Sequence, residues 1–126
     1  MKIRILDSAT QDLIEGFRFY EKQEAGLGNY FIDSLFSDID SLQVYAGIHS
    51  IHFGYHRMLS KRFPFAIYYK ITEHEVSVYA VLDCRRNPAW TRERLDKTGS
   101  RQRVRSTFLS FKVLKGQKAR GSGLAF

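Results

Sequence analysis

One change of periodicity constrains this chain more than any other feature. Up to Ala46-Gly47 the apolar residues recur at helical spacing; beyond it they fall in short runs rich in aromatic and β-branched side chains. Leu13, Phe17 and Tyr20, with Ile14 beside them, predict an amphipathic helix over residues 9–24, with Ser8 and Gln11 at capping-box spacing. Ala25-Gly26-Leu27-Gly28 breaks it. Phe31, Ile32, Leu35, Phe36, Ile39 and Leu42 then draw a broad apolar stripe over residues 28–45, with Asp33, Ser37, Asp38, Asp40 and Ser41 opposite. Two helices joined by so short a glycine-containing loop pack as an antiparallel hairpin.

Residues 55–60, 65–71 and 76–82 read as strands, and the connections Lys61-Arg62-Phe63-Pro64 and Thr72-Glu73-His74-Glu75 suit hairpins. Residues 2–6, with Ile3 and Ile5 alternating, add an N-terminal strand. A helical hairpin on one face of a small antiparallel sheet makes an α+β fold in two layers. Pro88 opens a short C-terminal helix over residues 88–95. Asp96-Lys97-Thr98-Gly99-Ser100 reads as a linker, dividing a domain at 1–95 from a basic, glycine-containing tail at 96–126 whose origin the sequence leaves open. Within the tail, residues 108–114 have the pattern of one more strand.

The formal net charge of +7 suggests a nucleic-acid partner until it is located. Of the 20 Lys and Arg, eight fall in residues 96–126 with one of the 13 acids, so residues 1–95 carry twelve of each. That neutral body is polarised. Between Asp7 and Asp40 eight acids face Arg18 and Lys22, whereas between Arg57 and Arg94 eight bases face four acids. Such segregation makes either two different faces or ordinary solvated surface.

Familiar catalytic motifs are missing. His49, His52, His56 and His74 lack metal-ligand spacing, so no metal site is expected. There is no Gly-rich phosphate loop and no nucleophile elbow. Cys84, the single cysteine, reads as a near-buried structural thiol and fits a reducing compartment. The N-terminus lacks a secretory apolar core, and no stretch approaches the roughly 18 apolar residues of a membrane span. The expected address is cytoplasmic, with no membrane partner.

Two segments say more: Tyr55 to Lys70, containing KRFPFAIYY, and residues 80–90, AVLDCRRNPAW. With the strand and helical hairpin before them, they resemble the RelE/ParE toxin superfamily over about residues 2–95. The resemblance implies the fold just described and the toxin half of a type II toxin–antitoxin (plasmid stabilisation) module. It further implies a cognate antitoxin partner, a toxin–antitoxin hetero-oligomer, and no cofactor. RelE-like members are metal-independent, ribosome-dependent mRNA endoribonucleases that use sheet-borne Lys and Arg and often a C-terminal Tyr. ParE-like members share the fold, lack that set and poison DNA gyrase.

RNA cleavage through the 2′-OH needs a base, stabilisation of developing negative charge and a donor to the leaving oxygen, and an aromatic ring can stack a splayed base. By resemblance, Arg57 matches a basic position on the strand at 55–60, and Arg86 or Arg85 matches the Arg closing the last strand. Trp90 lies near the terminal Tyr position. Leu59 and Ala66 stand where the nuclease branch places two further bases. The catalytic candidates are therefore Arg57 and Arg86, and the target- or nucleic-acid-binding candidates are Arg57, Lys61, Arg62, Arg85, Arg86 and Trp90. Each also has a structural reading: Arg57 paired with an acid of the hairpin, Lys61 and Arg62 solvated at a turn, Asp83 paired with a neighbouring Arg, and Trp90 anchoring a helix. With two basic positions empty, the resemblance favours a ParE-like gyrase poison or a catalytically weak relative. The alternatives are a RelE-like mRNA nuclease and a degenerate toxin acting as an antitoxin-binding corepressor.

Overall fold

The computed structural model describes residues 1–101. Chain order is β1 (Lys2–Ile5), α1 (Asp7–Gln23), α2 (Leu27–Asp40), α3 (Leu42–Tyr45), β2 (Ile51–His52), β3 (Tyr55–Leu59), β4 (Phe65–Thr72), β5 (Glu75–Asp83) and α4 (Pro88–Arg101). The expected strand at 108–114 lies outside the described residues.

Helix α1 starts two residues before the predicted point, straight after the buried, extended Leu6. Ser8 does not cap it; its hydroxyl donates to the Tyr79 carbonyl at 2.7 Å and ties α1 to β5. The hairpin loop is closed by Glu21, whose carboxylate accepts from the backbone N–H of Gly26 and of Gly28. Gly26 has φ +93, a conformation that favours glycine. Gly28 permits close approach of the helices, since a Cβ there would lie 2.7 Å from the Phe17 carbonyl oxygen. The helix predicted over 28–45 is two pieces, broken at Ser41, whose hydroxyl bonds back to the Asp38 carbonyl at 2.6 Å.

The five strands form one sheet in the order β1-β5-β4-β3-β2. Strand β1 runs parallel to β5, and the other pairs are antiparallel. The edge strand β2, which the sequence pattern did not predict, joins β3 through Phe53 (φ 57) and Gly54 (φ 86), a two-residue turn with both central residues left-handed. A register shift between Tyr68 and Tyr69 leaves Tyr79 unmatched on β5. It reverses the facing of the strand, so Val76, Val78 and Val81 join the core under the hairpin while Ala80 and Leu82 join the cluster on the opposite face.

The hairpin-side core centres on an aromatic group. Phe31 meets Tyr20, Phe63 and Phe65 with ring centroids 5.0–5.2 Å apart, so Phe63 plugs the β3–β4 turn into the hairpin. Phe65, Tyr68 and Tyr69 are buried. The C-terminal helix covers part of the other face. Its Leu95 is fully buried among Tyr55, Ala66, Tyr68, Ala80 and Leu82, and the Tyr55 hydroxyl donates to the Leu95 carbonyl at 3.1 Å. This helix does not stop at Leu95. The stretch predicted as a linker, 96–100, is helical through Arg101, with Thr98 buried. Among the described residues, no helix is long and apolar enough to cross a membrane.

Candidate functional site

Two turns meet at one end of the sheet and gather most of the candidate residues. The β3–β4 turn carries Lys61 and Arg62, and the segment after β5 carries Arg85 and Arg86. The Cys84 N–H donates to the Pro64 carbonyl at 2.8 Å, joining the two. Asp38 of α2 fixes the first turn by accepting from the Ser60 hydroxyl at 2.6 Å and the Lys61 N–H at 3.3 Å. Lys61 and Arg62 are exposed on that braced turn.

Arg85 and Arg86 point to different partners. Arg85 embraces Asp83 through its Nε at 2.9 Å and its Nη2 at 2.7 Å. That guanidinium holds the Asp83 carboxyl below the usual carboxylate range. Asp83–Arg85 pairing is thus the arrangement found, and Arg85 is largely committed to it. Arg86 lies over the Trp90 ring at 4.4 Å, a cation–π contact on a ring that is 40% exposed. Trp90 is a platform at the start of α4; the anchor of that helix is Leu95.

Arg57 stands apart, on the sheet face opposite the hairpin. It does not pair with a hairpin acid; it lies directly across the β3–β4 ladder from Tyr68. Burial pushes the Tyr68 phenol up, and Arg57 partly counters this. The same face holds Lys70, whose Nζ lies 4.6 Å from the Tyr55 ring and 5.5 Å from the Tyr79 ring. Arg92 of α4 covers Phe53 at 5.4 Å. Leu59 and Ala66 are direct cross-strand partners. Cys84 is exposed rather than near-buried, because it sits just past the end of β5; its thiol is pushed up by its surroundings, so the protonated form prevails at neutral pH.

Behind the basic end lies a cleft of about 580 Å³ between α1, the end of β5 and α4. Asp12 crosses its wall, accepting from the Val81 N–H at 3.0 Å and from Arg94 Nη2 at 2.9 and 3.1 Å. Burial lifts the Asp12 carboxyl to about 7 against the opposing pull of Arg94. The other Arg94 nitrogen, Nη1, is buried with no hydrogen-bond partner among the described residues. Asp12, Arg94, Lys70 and Arg92 escaped the sequence reading, since their roles depend on cross-chain neighbours. Their one trace is that Asp12 interrupts the apolar side of α1, one turn after Ala9 and one turn before Gly16.

Three of the four histidines make structural contacts. His49 Nδ1 bonds the buried Tyr69 hydroxyl, His56 stacks on the Tyr69 ring at 5.0 Å, and His52 bonds Ser50. Among the described residues no three His, Cys, Asp or Glu are placed to hold a metal.

Scans against family models and curated proteins return no match. Among solved structures, the chain is similar to one from the chromosomal ParDE TA system of P. aeruginosa, with a TM-score of 0.59 at 17% identity. That match covers 64% of this chain and 92% of the other. At such identity the likeness speaks for the fold alone: this chain has the α+β, RelE/ParE-like architecture.

Proposed function

We propose that the chain is the toxin component of a type II toxin–antitoxin module, neutralised by a cognate antitoxin and acting in a ParE-like manner on DNA gyrase or as a catalytically weak relative. The fold supports the toxin class. The observation that carries the choice of branch is the Leu59–Ala66 pair: two facing positions where the nuclease branch resembled above places cations hold a leucine and an alanine. Without them β3 and β4 offer Arg57, opposite Tyr68, and Lys70, which lies over the Tyr55 and Tyr79 rings. Lys61, Arg62, Arg86 and Trp90 then serve as a basic and aromatic surface for contact with the target.

The nuclease reading draws its support from Arg57 and Lys70 sharing the opposite face with Tyr55 and Tyr79. A supercoiling assay and a ribosome-dependent mRNA cleavage assay separate the two. The proposal expects gyrase inhibition, weakened in Arg86→Ala, and no cleavage at toxin excess. Cleavage lost in Arg57→Ala would transfer the chain to the nuclease branch. Inertness in both assays, with tight antitoxin binding, would mark a corepressor.

A further inference from the structure

The cleft behind the basic end is built around an interrupted sheet edge. Strand β1 pairs with β5 only from Glu75 to Val78, so on that side residues 79–83 run on without a strand, while β4 flanks them on the other. Helix α1 lies along that edge and satisfies it with side chains, Ser8 at the Tyr79 carbonyl and Asp12 at the Val81 N–H. A strand added there would have to displace both, so whatever enters the cleft is held by side-chain contacts.

Those contacts are specific in kind. Phe19 of α1 and Trp90 of α4 form exposed aromatic lips, 54% and 40% accessible, above a floor of Phe65, Val81 and Leu82. Glu15 lies one helical turn before Phe19 on the same face of α1. Every other acid of the cleft has a cation: Asp12 has Arg94, and Asp83 has Arg85. Glu15 is exposed and forms no ion pair among the described residues. Arg86 stacks on the Trp90 side of the gap, so the unpaired carboxylate lies on the Phe19 side, and the gap suits an apolar side chain with a neighbouring cation set toward Glu15.

We infer that this cleft docks a peptide segment of the antitoxin, one that seats a large apolar side chain between Phe19 and Trp90 and sets a Lys or Arg against Glu15. The inference rests on the toxin–antitoxin reading above and names where that partner is gripped. The test titrates the full-length chain calorimetrically with the purified polypeptide encoded in the adjacent reading frame. Glu15→Lys and Phe19→Ser, both at exposed positions that leave the core intact, should each weaken binding by about tenfold or more. Reversing the matching Lys or Arg of the partner to Glu should restore binding to Glu15→Lys. If both variants bind as tightly as the wild type, the segment docks elsewhere and the inference falls while the toxin–antitoxin reading stands. If the wild type binds nothing, both fall. If the same substitutions instead abolish self-association of the chain, the occupant is a second copy and the inference is overturned.

Discussion

The backbone N–H of Val81 donates to the Asp12 carboxylate at 3.0 Å, so a helix side chain takes the place of a missing strand at the edge of β5. The same carboxylate holds Arg94 of α4, which makes one acid the junction of α1, β5 and α4. Buried ion pairs of this kind fix geometry more surely than they add stability, because desolvation offsets the attraction.

The pH dependence follows. Burial outweighs Arg94 and raises the Asp12 carboxyl from 3.8 to about 7, so between those values the folded chain holds a proton that the unfolded chain has released. Stability should therefore fall as pH rises across that window and level off above it, by at most on the order of 4 kcal/mol. His49, whose pKa burial lowers from 6.5, contributes the opposite slope just below that pH. Denaturant unfolding of wild type and Asp12→Asn isolates the effect: the variant should lose the decline, and parallel curves would assign the slope to other groups.

Leu95→Ala should cost about 2–4 kcal/mol in thermal or denaturant unfolding, since Leu95 is fully buried against the face opposite the hairpin. Trp90, the single tryptophan, rides on the same helix, so its emission should report loosening of α4. Unchanged stability would mean that α4 does not depend on this contact.

Gly16→Ala should destabilise by about 1–3 kcal/mol, because overpacking forces neighbours to shift. A Cβ on Gly16 would fall 2.5 Å from the Phe31 ring, and Phe31 is wedged among Tyr20, Phe63 and Phe65. The midpoint of denaturant unfolding measures it.

Much of the fold was legible from periodicity: the helical hairpin and four of the five strands. What escaped has physical causes. Strand β2 is two residues long and its turn uses Phe53 with a left-handed backbone, a residue that gives no turn signal. The shift at Tyr79 flips the facing of β5, which no regular alternation reveals. Gly99-Ser100 looked like a linker, yet the helix begun at Pro88 continues through it. For the site, sequence picked out Arg85, Arg86 and Trp90 as neighbours but not their divergence, Arg85 to Asp83 and Arg86 to Trp90. Asp12 and Arg94 are 82 positions apart, and only the fold brings them together.

Tyr69→Phe should cost about 0.5–1.5 kcal/mol, the net worth of a part-buried hydrogen bond whose donor can turn to water. The phenol oxygen accepts from the Gly47 N–H at 3.0 Å and bonds His49, pinning the segment before β2 to the sheet. Hydrogen exchange at Gly47 should quicken in the variant, and unchanged exchange would show that the hydroxyl is dispensable.

The central claim, that this chain is a toxin held in check by an antitoxin, is tested most directly by growth after induced expression, with and without the adjacent reading frame. The account predicts arrest by the chain alone and recovery when the neighbouring polypeptide is co-expressed. Normal growth on induction of the soluble chain, together with no binding of that polypeptide, would contradict it.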